Sequence, residues 1–92
     1  MASFIAKTNG NNEVVQPLNG TDFKLAELQK IVGGYAEIVQ LNEHLIMVVN
    51  EEGKLHGLPI NPFATLIYQA YTLNNDDVIV GDALICETEQ VK

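Results

Sequence analysis

The chain has 92 residues, 47% of them apolar and 18% charged, which is typical of one small folded domain with a core of modest thickness. Its formal net charge is −7, and all five basic residues are lysines. Because nucleic-acid binding depends on clustered lysine and arginine, this composition argues against a nucleic-acid partner.

A single cysteine, Cys86, rules out a disulfide within the chain, and it has no zinc-like spacing to His44 or His56. It ends an apolar run, so we expect a buried, unreactive thiol. The first residues lack the basic and apolar regions of a signal peptide, and no apolar run reaches the roughly 18 to 20 residues that span a membrane. We therefore expect a cytoplasmic protein with no metal, no cofactor and no membrane contact.

The chain opens with two short β-rich runs joined by Asn9-Gly10, a dipeptide that tolerates the positive φ of tight hairpins. We interpret residues 2–17 as a hairpin that ends at Pro17. Asn19-Gly20 indicates a second turn directly after it.

A helix is predicted over 22–32, with Thr21 or Asp22 as its N-cap. Three apolar side chains recur at helical spacing and form one apolar stripe: Leu25, Leu28 and Val32. Gly33 supplies the left-handed conformation that closes a helix, and Gly34 lets the chain turn into the next strand.

A hairpin over 35–49 follows, made of a strand from Tyr35 to Leu41 and another from Leu45 to Val49. Neither face of the first strand is cleanly polar, so we expect it to be a central strand covered on both sides. Residues 55–58 are predicted to pair briefly before a proline stops them.

Asn61-Pro62 predicts a helix over 62–71, with asparagine as cap and proline at the first helical position, although part of it could be extended. The last strand is predicted over 78–86, interrupted at Gly81, and 87–92 as a frayed tail. The order β-β-α-β-β-α-β predicts an α+β domain with a mainly antiparallel sheet of about five to six strands and two helices. An exposed sheet edge on so small a domain favours a homo-oligomer.

No spacing brings a nucleophile and a base together, so we assign no catalytic residues. Glu37, on the strand predicted to be central, is either a carboxylate satisfied by structural hydrogen bonds or a ligand for ribose hydroxyls. His56, beside a glycine, is either a surface histidine or a ligand contact. Tyr35 is either a core aromatic or a stacking platform for a base.

Two backbone features offer free N–H groups to an anion. Asn61 begins a helix whose first N–H groups can bind phosphate, with Thr65 one turn along, or it is a simple cap. Gly33 and Gly34 can let a phosphate approach the backbone, or they only terminate the preceding helix. No phosphate-binding glycine motif is present.

Three sequence pieces, VGGY-x-E-x-V, VNEEG-x-L-x-GLP-x-N and VGD, resemble a family of small domains of unknown function found in phages, large DNA viruses and bacterial mobile elements. The likeness spans residues 25–86, with Ala36 standing where a larger aliphatic residue is expected. The resemblance implies a phage-type setting, and no enzymatic activity is established for that family.

The first hypothesis is therefore a non-catalytic, homo-oligomeric phage-type protein that sequesters a small nucleotide-like immune signal in the host cytoplasm. Its ligand-binding residues would be Gly33, Gly34, Tyr35, Glu37, His56, Asn61 and Thr65. The alternative is an acidic inhibitor or DNA mimic that binds a host defence protein. Its acidic face would comprise Glu13, Glu43, Glu51, Glu52, Asp76 and Asp77.

Overall fold

The computed structural model describes residues 3–91 of the chain. Five strands and two α-helices follow in the order β1 (Phe4–Ala6), β2 (Asn12–Val14), α1 (Leu25–Val32), β3 (Ala36–Gln40), β4 (Leu45–Asn50), α2 (Pro62–Thr72) and β5 (Ala83–Glu87), with a short 3-10 turn at Thr88–Gln90. This is the predicted α+β fold and element order. No helix in the described part is long and apolar enough to cross a membrane.

The five strands form one antiparallel sheet in the spatial order β2-β1-β5-β4-β3. Met47 of β4 stands opposite Ile85 of β5, and Val48 opposite Leu84. Because alternate residues of a strand point to opposite faces, this register sends Met47 and Ile85 to one face and Val48 and Leu84 to the other. Both faces of β4 and β5 are therefore buried.

Each face of the sheet carries one helix. Phe23, Leu28 and Val32 of the α1 region pack on the face that holds Val48 and Leu84. On the opposite face α2 contributes Ala64 to a second core. The remaining buried apolar side chains of this second core are Ala6, Leu41, Met47, Val49, Ile79, Ala83 and Ile85.

The predicted central position of the first hairpin strand is wrong, because β3 is an edge strand that pairs with β4 alone. Glu37 is exposed and Ile38 is 50% exposed, so the mixed polarity of β3 reflects an uncovered edge. A carboxylate on such a strand keeps its water and needs no buried partner.

Helix α1 begins three residues later than the predicted residue 22. Its N-cap is Lys24, whose backbone N–H donates to Glu27 Oε2 at 2.8 Å. Asp22 does not cap it, because the Asp22 backbone and carboxylate are held in a turn around the Asn19 side chain.

Three other predicted boundaries also differ. Residues 55–58 form a turn and not a strand. The last strand starts at Ala83, because Gly81 takes a left-handed φ of 78° and Val80 makes only an isolated bridge to Ile60. The described part of the predicted tail, 87–91, is ordered: Phe23 N donates to Gln90 O at 2.7 Å. Residue 92 lies outside the described residues.

Helix α2 starts at Pro62 with Asn61 as its N-cap, as the sequence predicts. The Asn61 side chain is completely buried. Its Nδ2 donates to the carbonyls of Ala6 at 2.8 Å and Gly81 at 2.9 Å, and its Oδ1 accepts from Ala64 N at 3.1 Å. One amide thus ties α2 to the end of β1 and to the approach to β5.

Replacing Asn61 by alanine should lower the free energy of unfolding by about 3 kcal/mol, because two buried carbonyls lose their donor and α2 loses its cap. Urea unfolding followed by circular dichroism measures this loss. Asn75→Ala, at an exposed asparagine, is the matched control and should change stability by less than about 0.5 kcal/mol. Equal effects of the two variants would contradict the role of the Asn61 amide.

Burial raises the pKa of the Cys86 thiol from 9.0 to about 12. Near pH 8 this shift lowers the thiolate fraction about 1,000-fold relative to an ordinary thiol. We expect native protein to react with iodoacetamide at least that much more slowly than urea-unfolded protein, as followed by intact mass. Rapid native labelling would show that Cys86 is reached without unfolding.

Candidate functional site

The joint between α1 and β3 forms the wall of an open cleft of about 260 Å³. We call it the Tyr35 cleft, and its lining residues are Gln29, Gly33, Gly34, Tyr35, Asn50, Glu52 and His56. Four of the seven predicted ligand-binding residues therefore meet here, although His56 is more than twenty positions from the other three. The turn after β4 brings His56 back to the end of α1.

Gly33 ends α1 with a left-handed φ of 78°. The backbone N–H groups of Gly33 and Gly34 both donate to Gln29 O, at 2.8 and 3.1 Å. They are therefore not available to hold a phosphate, which was the role that the sequence suggested for them. A helix C-terminus also presents carbonyl groups with partial negative charge, which disfavours an anion at this point.

Asn50 lines the Tyr35 cleft and fixes its shape through two hydrogen bonds. Its Nδ2 donates to Val32 O at 3.1 Å, and its Oδ1 accepts from Glu52 N at 2.8 Å. These bonds join the end of α1 to the end of β4. The side chain is buried, and its oxygen and its nitrogen both bond within the protein, so Asn50 shapes the cleft.

Tyr35 supplies the aromatic surface of the cleft. Its side chain is 64% exposed, so the structure excludes the core role that was the alternative. Across the cleft, His56 Nε2 lies 3.7 Å from Glu52 Oε1. The cleft therefore combines an open ring face with a carboxylate and an imidazole, groups that bind hydrogen-bond donors and flat rings.

A second cleft of about 360 Å³ shares Gly33 with the first. We call it the Lys30 cleft, and Lys30, Pro59 and Asp82 are among its lining residues. The other lysines within residues 3–91 are each ion-paired with a carboxylate, whereas Lys30 is not. An unpaired ammonium thus stands beside the Tyr35 cleft.

The structure places Glu37 in a different cleft, of about 350 Å³, with Tyr68 and the ion pair between Lys54 and Asp77. The Lys54 hydrogen bond holds the pKa of the Asp77 carboxyl below its usual value. Glu37 and Tyr35 are close in sequence but do not line the same cleft.

Asn61 and Thr65 lie in the interior, away from the Tyr35 cleft. Thr65 Oγ1 accepts from Ile79 N at 2.9 Å and donates to Ile79 O at 3.3 Å. Asn61 uses both amide hydrogens within the protein. The simple capping reading therefore holds, and these two residues are outside the candidate site.

Sequence reasoning missed Gln29, Lys30, Asn50 and Glu52. One signal existed: Asn50 is the polar end of the otherwise apolar run of β4, and a buried asparagine there requires partners. Lys30 carried no comparable signal. Within the described residues, no three His, Cys, Asp or Glu side chains are grouped so as to hold a metal ion.

Two glycine substitutions separate backbone strain from crowding at the cleft. A Cβ on Gly34 would lie 2.8 Å from Asn50 Nδ2, whereas a Cβ on Gly33 would meet nothing within 4 Å. Gly34→Ala should cost about 2 kcal/mol of unfolding free energy by displacing the Asn50 amide. Gly33→Ala should cost about 1 kcal/mol through its positive φ.

Chemical denaturation of both variants, of Asn50→Ala and of a Gly34→Ala/Asn50→Ala double variant measures these losses. The double variant should lose less stability than Gly34→Ala and Asn50→Ala added together, because the new Cβ no longer meets the Asn50 amide. Strict additivity would show that Gly34 and Asn50 do not interact.

The comparisons with known proteins bear on family and not on function. No curated protein matches the chain, and no solved structure matches it. A family model described as a domain of unknown function (DUF3846) matches residues 4–91, nearly the whole chain and every element of the sheet. The chain therefore belongs to the DUF3846 family.

Proposed function

We propose that this chain is a non-catalytic binding protein whose Tyr35 cleft takes the ring of a small nucleotide-like ligand. The observation that carries the proposal is the meeting of Gly33, Gly34, Tyr35 and His56 in one open cleft beside Lys30. The family resemblance adds a setting: a phage protein that removes a nucleotide immune signal in the host cytoplasm.

The ring would stack on the open face of Tyr35, an interaction that tolerates any base. Glu52 is an acceptor for the amino and imino hydrogens of a base, and His56 lies on the same wall. The carbonyl end of α1 also favours donors over anions. These groups recognise a base better than they recognise a phosphate.

A phosphate would instead lie in the Lys30 cleft, across Gly33. Gly33 lines both clefts and has no side chain to separate them. No atom lies within 4 Å of the position that a Cβ on Gly33 would occupy. Small-molecule sites commonly enclose roughly 300 to 1,000 Å³. With about 260 and 360 Å³, the two clefts fit one mononucleotide-sized ligand.

The acid and the base that line the Tyr35 cleft are Glu52 and His56. Their side chains are 43% and 59% exposed. Charged groups so open to water act as ordinary surface groups. Binding without chemistry is therefore the function we propose.

The acidic-inhibitor alternative remains a prediction that the geometry does not favour. Two of its carboxylates, Glu13 and Asp77, are ion-paired with Lys7 and Lys54. The predicted acidic face is thus interrupted by neutralised positions.

Isothermal titration calorimetry with the four ribonucleosides and their monophosphates tests the proposal. Tyr35→Ala should weaken binding of the best ligand about 5- to 150-fold, the effect of losing one aromatic stacking partner of about 1 to 3 kcal/mol. Tyr71→Ala removes another exposed tyrosine, on α2, and should leave affinity unchanged. Lys30→Gln should reduce the advantage of a monophosphate over its nucleoside.

Ligand recovered from the heated complex should have an unchanged mass. An altered mass would refute the non-catalytic assignment. No measurable heat with any of the eight compounds, or equal losses in Tyr35→Ala and Tyr71→Ala, would count against the Tyr35 cleft as a nucleotide-binding site.

A further inference from the structure

Helix α2 carries no charged residue. The segment from Leu55 to Asn75 contains no lysine, arginine, aspartate or glutamate, in a chain with twelve acidic residues. Only Ala64 and Thr65 of the helix are buried. A solvent-exposed helix face normally carries charged residues, whereas the outer face of α2 is uncharged and mostly apolar, so this face is incomplete in the single chain.

The outer face has the spacing of a helix-pairing seam. Phe63, Leu66, Ala70 and Leu73 recur at steps of three, four and three residues, the pattern of positions a and d in a heptad. We call these four residues the α2 stripe. All are exposed, and the small Ala70 in the middle lets a second helix approach closely.

Leu73 adds an independent observation. It is the only non-glycine residue among 3–91 with a positive φ, at 57°, and its side chain is 84% exposed. Left-handed backbone is unfavourable for leucine, and glycine is the usual residue at this position after a helix. Within one chain, Leu73 gains no burial in return for this strain.

The area and the charges point to one occupant. With Ile60 and Tyr71, the stripe exposes on the order of 600 Å² of side chain, against roughly 800 Å² per partner in a standard interface. The charges nearest its two ends in the chain are Lys54 on one side and Asp76 and Asp77 on the other, and Lys54 and Asp77 neutralise each other, which leaves one carboxylate. A surface built for a basic partner would instead carry free carboxylates at its rim.

We propose that the α2 stripe is a homodimer interface, in which the α2 helices of two copies pack together about a two-fold axis. A two-fold interface places each patch against itself, so an uncharged patch avoids like-charge contacts between two chains of charge −7. The inference does not depend on the proposed ligand, because the Tyr35 cleft contains no residue of α2.

Sedimentation velocity from about 5 to 500 μM tests the proposal, and the wild type should form dimers with a dissociation constant in the micromolar range. Leu66→Glu should raise that constant more than tenfold, because two carboxylates would meet in the seam. Leu25→Glu is the matched control: Leu25 is also helical and also 64% exposed, and its variant should dimerise like the wild type.

Leu73→Gly distinguishes an interface role from a purely structural one. It should raise the thermal midpoint of dilute, monomeric protein by several degrees, because the left-handed strain is relieved, while weakening the dimer severalfold. A higher midpoint with an unchanged dimerisation constant would place Leu73 outside the interface and count against the seam.

A wild-type protein that stays monomeric up to 500 μM would overturn the proposal. So would dimers that resist Leu66→Glu but dissociate on Ile38→Lys, since that result would place the contact at the β3 edge. Circular dichroism confirms that each variant is folded before it is scored.

Discussion

The buried amide of Asn61 determines how the second helix meets the sheet. Its three hydrogen bonds reach Ala6, Gly81 and Ala64, which lie on β1, before β5 and on α2. A buried asparagine must find partners for its amide, so these three segments can adopt only positions that supply them. Helix α2 is attached by this polar anchor near its first turn. The α2 stripe lies on the side of the helix away from the sheet and is exposed, although Phe63 also contacts Phe4 at a ring-centroid distance of 6.2 Å.

Helix α1 is held differently. Leu28 and Val32 bury its inner face against the sheet, and the Asn50 amide bonds the carbonyl of Val32 at its C-terminus. The second bond has two consequences. It stabilises the end of the helix, and it sets the floor of the Tyr35 cleft. Stability and cleft geometry are therefore coupled at Asn50, so a substitution there should change both the stability and the shape of the Tyr35 cleft.

The two functional proposals use separate elements. The Tyr35 cleft lies where α1 meets β3, whereas the α2 stripe is the outer side of the other helix. Because the helices cover opposite faces of the sheet, a dimer through α2 leaves the cleft open in each copy. Each protomer of such a dimer would keep its own cleft.

The candidate site was partly visible in the sequence. Gly33, Gly34 and Tyr35 are consecutive, and a helix stop followed by an aromatic is a local pattern. The presence of His56 in the cleft depends on the path of the turn after β4. The lack of an ion pair at Lys30 depends on which lysines lie close to a carboxylate in the folded chain. Both are outcomes of packing between distant segments. For the same reason the proposed phosphate contact at the glycines failed, since Gln29 O already accepts their N–H groups.

The sequence by itself determined the local features: α2 begins at Asn61-Pro62, α1 stops at Gly33, and 35–49 forms a hairpin. Caps, left-handed glycines and short turns depend on a few neighbouring residues, so local sequence specifies them. Only the tertiary structure decided that β5 is the middle strand, that β3 is an edge, and that Gln90 O accepts a hydrogen bond from Phe23 N. Strand order and long-range hydrogen bonds depend on which distant backbone groups pair with each other as the sheet forms. The hydropathy pattern of the sequence does not specify those pairs.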